Sequence, residues 1–307
     1  MDQIALKEIR DLIARHKRRD VIFAAVGLLC VSIAAITFTA LVIDMVIDGS
    51  PRLSWDFFTN FPSRRPAHAG ILSAWVGSTL VMLVTAVSAI PVGVAGAVYL
   101  EEYAPKNWFT AVIEINITNL AGVPSIVYGL LALGLFVYAL GLGQSILSAG
   151  LTLGLLILPV VIVATREAIR SIPGSIREAA YAVGATKWET TWDHVLPYSL
   201  PGIMTGVIIG MARAIGETAP IITIGALTFI AFLPPSPITS TFPFVSFEWL
   251  MAPFTVMPIQ MFNWTSRPEA AFHQNAAAAG LVLLLMTLSM NALAIYIRYR
   301  LRKRIKW

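Results

Sequence analysis

An all-α membrane protein of about six transmembrane helices, with both ends in the cytoplasm, is the fold class that this sequence predicts. Three observations carry it: the scarcity of charge, six long apolar runs, and the uneven placement of Lys and Arg. Of 307 residues, 57% are hydrophobic and only 13% are charged, at a mean hydropathy of +0.76. Soluble domains carry roughly 25% charged residues. A chain with so little charge cannot cover a water-facing surface, so much of its surface must face lipid.

A helix needs roughly 20 apolar residues to cross a bilayer. Runs of that order fall at about 21–43, 71–99, 110–140, 146–165, 203–230 and 276–297. Pro and Gly inside them (Pro91, Gly93, Pro124, Pro159, Pro220) are tolerated because neighbouring helices can satisfy the freed backbone groups. Pro124 marks a position where the third run can break. The first run is too long for a signal-peptide core and no small-x-small cleavage site closes it, so it reads as a retained span.

Charge sets the orientation. Lys7, Arg10, Arg15, Lys17, Arg18 and Arg19 precede the first run, and Arg298, Arg300, Arg302, Lys303, Arg304 and Lys306 follow the last. Lys106 and four further basic residues fall in even-numbered loops. The opposite side carries only Arg52, Arg64, Arg65 and Arg267. This bias places both termini in the cytoplasm. It also explains the net charge of +5 without nucleic acid. Residues 1–20 are then a basic cytoplasmic segment, 21–297 the membrane domain and 298–307 a basic tail. The single cysteine, Cys30, excludes an intrachain disulfide. No histidine belongs to a metal-ligand cluster.

Two outer loops differ in character. Residues 44–70 are polar, whereas 231–274 are rich in Pro and aromatics, including Trp249, Phe254, Phe262 and Trp264, and are expected along the outer membrane boundary. Glu101, Glu102 and Glu114 fall at the cytoplasmic edge and carry no expected role.

The cytoplasmic segment 166–200 is the most specific part of the chain. Ser175-Ile-Arg-Glu178 fits a capping box, and Ile176, Ala179, Ala180 and Val183 follow at helical spacing to make an apolar face. Gly184 suits a helix end, and Thr186-Lys-Trp-Glu189 opens a second short helix. Two capped helices with small apolar residues in a cytoplasmic loop suit docking onto another protein, or packing onto their own bundle. Glu178-Ala179-Ala180, Gly184 and Leu196-Pro197 resemble the coupling loop of ABC importer permeases, EAA-x3-G-x9-I-x-LP, with His194 at the Ile position. The resemblance implies the type I importer permease fold, with a core at about 70–297, and docking of this loop in a cleft of a separate ATPase. The chain has no G-x4-GK[ST] phosphate loop of its own, so it is expected to be no enzyme and to bind no cofactor; ATP and Mg would sit on the partner.

The fifth run contains Arg213-Ala-Ile-Gly-Glu217-Thr218-Ala-Pro220. On a continuous helix Arg213 and Glu217 share a face, and each charge in the membrane costs about 2.5–3.5 kcal/mol on insertion scales. Such a pair either neutralises itself to fix packing or serves a substrate path. In the second case Arg213 offers a planar donor fork suited to phosphate or sulfate, Glu217 holds it when the path is empty, and Thr218 adds a hydroxyl. This string, Pro124-Ser-Ile-Val-Tyr128-Gly129, Met257-Pro-Ile-Gln260 and Phe262-Asn-Trp264 resemble phosphate-specific ABC permeases of the PstA type. That resemblance implies a multi-pass subunit of a bacterial inner membrane. Its implied partners are a PstC-type permease, a dimer of the PstB-type ATPase and a periplasmic phosphate-binding protein. The alternatives are a permease for molybdate or sulfate, and an ion-coupled secondary transporter, which would be expected to show more intramembrane carboxylates and often internal repeats.

Overall fold

The computed structural model describes residues 3–238 and 244–303. Arg304 and Lys306 of the basic tail lie outside them. Helix α1 runs without a break from Gln3 to Gly49, so the basic N-terminal segment and the first span are one rod. At 1.5 Å per residue it is about 70 Å long, more than a bilayer with its headgroups. A short helix α2 (Trp55–Thr59), capped by the Ser54 side chain on the Phe57 N–H, belongs to the outer loop. Helix α3 (Leu72–Val98) continues through a wider π-type turn, Tyr99–Tyr103.

The third span is broken. Helix α4 (Trp108–Leu120) and helix α5 (Ser125–Ala132, extended by a wide turn to Ala139) meet at 107°. Pro124 opens α5 and bars the residue before it from helical angles. The Tyr128 hydroxyl donates to the Leu120 carbonyl at 2.8 Å and so satisfies an acceptor freed by the break.

Helix α6 (Ile146–Arg170) starts on the Ser145 cap and forms the centre of the molecule. It packs between α3 and the helix that begins at Leu196, burying Leu153, Leu156, Ile157 and Val161 against Val81 and Val207. Between lipid-embedded helices such contacts stabilise by close packing rather than by escape from water.

Helix α7 (Gly174–Ala182) and the single turn α8 (Lys187–Glu189) form the cytoplasmic loop. After a wide turn, α9 (Leu196–Gly216) crosses the membrane with Pro197 in its first turn, where a missing N–H costs nothing. The predicted fifth span to residue 230 is too long. The helix stops at Gly216, a short α10 (Ala219–Thr223) follows, and Gly225 at φ +90° turns the chain away. Among the described residues the chain then runs outside any α-helix, with one 3-10 turn at Glu248–Met251, to helix α11 (Met257–Thr265). An isolated antiparallel bridge joins Ile238 and Val245. Helix α12 (Ala270–Arg302) returns to the cytoplasmic end.

Among the described residues five helices are long and apolar enough to span a membrane, and the bent α4–α5 pair makes six. Long-range bonds fix their directions. Arg52, just after α1, meets Asn275 near the start of α12 at 2.6 Å, and Arg298 near the end of α12 donates to Thr205 in α9 at 3.0 Å. Helices α1 and α12 therefore run antiparallel, with their other ends on one side. Trp249, Phe254 and Trp264 of the outer loop are buried in the protein rather than spread along the lipid boundary.

Candidate functional site

Arg213 sits in the last turn of α9, where a cation also meets the negative end of the helix dipole. Its Nε donates to Glu217 Oε1 at 3.2 Å. The pair is not a helix-surface pair as expected from spacing: Glu217 caps the helix in an extended conformation, with φ −76° and ψ 123°. Ending the helix frees Glu217 to lean back on Arg213, and the unfavourable Arg-before-Glu order along a helix no longer applies. Arg213 is 37% exposed and Glu217 19%. Among the described residues the two terminal amines of Arg213 donate to no group. A two-pronged donor thus stands partly open beside a single counter-charge.

The surroundings come from five segments. Glu217 shares a small cavity with Ser78 and Met82 of α3, Leu153 of α6 and Val256 of the outer segment. Thr218, half-buried, leads into α10. Helix α10 packs on α5. There Gly129 has no room for a side chain: a Cβ would lie 2.7 Å from Pro220 Cα. The two sequence strings that resembled one family, Pro124–Gly129 and Arg213–Pro220, are therefore in direct contact next to the charged pair.

The cytoplasmic loop has a different construction. Ser175 does not cap α7. Pro173, with its fixed φ of −55°, starts the helix earlier, so Ser175 already lies in the first turn and makes no cap bond. The second box is present as read: Thr186 and Glu189 exchange both bonds. Gly184, at φ +90°, completes a Schellman end: its N–H donates to the Tyr181 carbonyl (3.0 Å) and that of Ala185 to Ala180 (3.1 Å). Ala180 is buried towards the bundle and Ile176 half-buried, while Glu178, Ala179 and Val183 face outward, Val183 at 85% exposure. Leu196 and Pro197 are half-buried at the foot of α9. The single apolar face read from spacing is thus divided between the bundle and an open surface.

Ion pairs that the sequence did not reveal hold this loop. Arg177 of α7 donates from Nε and Nη2 to Glu102 (3.1 and 2.7 Å) and from its amines to the carbonyls of Ile172 and Ile169. Glu101 meets Arg170 at 2.9 Å and Arg166 at 3.4 Å, and Arg166 reaches Glu114 of α4 at 2.6 Å. Arg166 is only 7% exposed. A chain of charges therefore joins α7, the end of α3, the end of α6 and α4.

Comparison with known proteins agrees with this architecture. Residues 89–307 match the family model described as "Binding-protein-dependent transport system inner membrane component". The chain belongs to that family, the membrane-embedded permeases of ABC importers. It is 32% identical to the probable ABC transporter permease protein YqgI of Bacillus subtilis, covering 86% of this chain and 90% of that protein. It is 34% identical to the phosphate transport system permease protein PstA of Mycobacterium leprae, covering 76% and 72%. A bacterial alginate ABC transporter shares the fold with a TM-score of 0.65 at 14% identity, covering 92% of this chain and 96% of the solved one. The MetNI methionine ABC transporter shares it at 0.54, with 16% identity over 75% and 95%.

Proposed function

We propose that this chain forms half of the translocation path of an ATP-driven phosphate importer in a bacterial inner membrane. The observation that carries the reading is the open guanidinium fork of Arg213, anchored through Nε to Glu217 at 3.2 Å where α9 ends. A tetrahedral oxyanion can accept two parallel N–H bonds from such a fork. Glu217 holds the fork in place and repels anions when the path is empty. The relatives named as PstA proteins support phosphate as the anion. In this reading a PstC-type permease supplies the other half and a periplasmic phosphate-binding protein delivers the ion. Two PstB-type ATPases hold ATP and Mg²⁺ and take up the outward surface around Glu178, Ala179 and Val183.

The test is radiolabelled phosphate uptake alongside membrane levels of the complex. Arg213→Ala abolishes uptake and leaves assembly intact. Arg213→Lys restores part of it, because an ammonium keeps the charge and loses the planar fork. Glu217→Gln loosens gating without preventing assembly. Excess unlabelled sulfate or molybdate leaves uptake unchanged. If the pair only cements packing, each single variant lowers complex levels and the double Ala variant transports normally; that result overturns the proposal.

A further inference from the structure

A cleft larger than the cavity at the charged pair lies elsewhere in the protein. It lies at the cytoplasmic end of α3, has a volume of about 640 Å³ and is almost wholly apolar. Val94, Val98, Tyr99 and Tyr103 form one wall, and Trp188 and Trp192 the other. The two indoles stack at 5.5 Å with their planes 9° apart, and both remain more than half exposed. Lys187, at the start of the same turn, holds its ammonium 5.1 Å from the centre of the Tyr103 ring.

The depth of the cleft and its charge select an occupant. It begins at Ile90 inside the bilayer and ends where the chain emerges at Tyr103. Trp and Tyr favour that boundary, where an apolar body and a polar edge are both satisfied. A cavity of roughly 300–1,000 Å³ suits a ligand of moderate size, and an apolar wall open to lipid suits an acyl chain. The nearby carboxylates are already engaged: Glu101 and Glu102 with arginines, and Glu189 with Thr186 in its cap. Neither Asp193 nor Lys187 lines the cleft itself, but the Lys187 ammonium lies over the ring of Tyr103, which does. Lys187 makes no ion pair among the described residues, so the mouth presents a cation. Basic pockets between membrane helices on the cytoplasmic side bind anionic head groups.

We propose that the cleft binds an anionic phospholipid of the cytoplasmic leaflet, one acyl chain lying along α3 under the Trp188–Trp192 stack and the head-group phosphate on Lys187. Because α8 follows the Gly184 helix end directly, the bound lipid also braces the loop that faces the ATPase. The proposal concerns a lipid site away from Arg213 and stands whichever anion is transported.

The experiment uses the assembled complex in nanodiscs containing phosphatidylglycerol or phosphatidylcholine with brominated acyl chains, at equal mole fraction. Bromine quenches a nearby indole, and the contribution of the cleft is isolated by Trp188→Phe and Trp192→Phe, singly and together. Brominated phosphatidylglycerol is expected to quench this pair more strongly than brominated phosphatidylcholine. Lys187→Gln should remove the excess, with about five-fold weaker apparent binding for one lost cation at the membrane surface, and Lys187→Arg should retain it. Lys187 is exposed, so both variants are expected to fold. Equal quenching by the two lipids overturns the proposal. So does quenching that is present in the isolated subunit and absent from the complex, which would mean that a protein partner fills the cleft. An excess that survives Lys187→Gln overturns the assignment of the head group.

Discussion

Two groups of charge in this molecule, one at the cytoplasmic ends of α3 and α6 and one where α9 stops, are built in different ways. At the cytoplasmic end Arg166, Arg170 and Arg177 are each matched by carboxylates from other segments, and Arg177 also donates to two carbonyls. At the outer end of α9, Arg213 has one carboxylate on one nitrogen. A charge held by groups from several segments fixes the elements it joins. A charge held by one partner is open to something that arrives. The contrast separates a clamp from a binding group without reference to position in the sequence, and each variant below tests which description applies.

The largest structural effect is expected at Arg166. Its removal leaves Glu114 without its partner, while Glu101 keeps Arg170, at a site where Arg166 itself is 7% exposed. Breaking a buried pair costs about 3–5 kcal/mol, and the partial exposure of the two carboxylates puts Arg166→Ala towards the lower figure. Thermal unfolding of the purified complex should show it, and a large part should return in Arg166→Ala with Glu114→Gln. Arg213→Ala, by contrast, should lower uptake without this loss of stability. Equal destabilisation at the two sites would erase the distinction between them.

A smaller effect belongs to Arg177. It ties α7 to Glu102 and to the carbonyls of Ile169 and Ile172, and each hydrogen bond to a charged group contributes about 1.5–3 kcal/mol. Arg177→Ala should leave the bundle assembled and loosen only the loop. The expected readout is ATP hydrolysis that persists while phosphate uptake per ATP falls. Arg177→Lys should fall between the two, because an ammonium cannot reach Glu102 and both carbonyls together. Unchanged coupling in Arg177→Ala would show that the chain of ion pairs does not hold the loop.

Local signals are legible in the sequence and long-range ones are not. Apolar runs located the spans because lipid imposes helix on any uncovered backbone. The Thr186–Glu189 box is present because both partners lie within one turn. The Ser175–Glu178 box is absent because Pro173, outside the motif, starts the helix earlier. Hydropathy carried the fifth span to residue 230, since apolar residues buried in irregular backbone look the same as those in a helix; Gly216, Pro220 and Gly225 were the signs that it ends. Arg213 and Glu217 were found because each is rare inside an apolar run. The roles of Glu101, Glu102 and Glu114 are not legible because their arginines lie 65, 75 and 52 positions away, and only the packing of α3, α4, α6 and α7 brings them together.

The smallest and cleanest effect is expected at Gly184. Its φ of +90° closes α7 and sets the direction in which the chain leaves for Trp188. A side chain there would meet nothing within 4 Å, so any effect of substitution arises from the backbone angle and not from a clash. Left-handed angles cost a non-glycine residue about 1–2 kcal/mol, least for Asn and most for a β-branched side chain. The same N–H groups of Gly184 and Ala185 that satisfy Tyr181 and Ala180 would be displaced if the turn relaxed. Gly184→Asn should therefore keep coupled uptake near normal, Gly184→Ala should reduce it, and Gly184→Val should reduce it most, with membrane levels of the subunit equal in all three. The series follows backbone strain rather than side-chain size only if the outward surface of α7 must be presented at a fixed angle to the ATPase. Equal uptake across Asn, Ala and Val would show that this helix end tolerates either geometry and that docking does not depend on it.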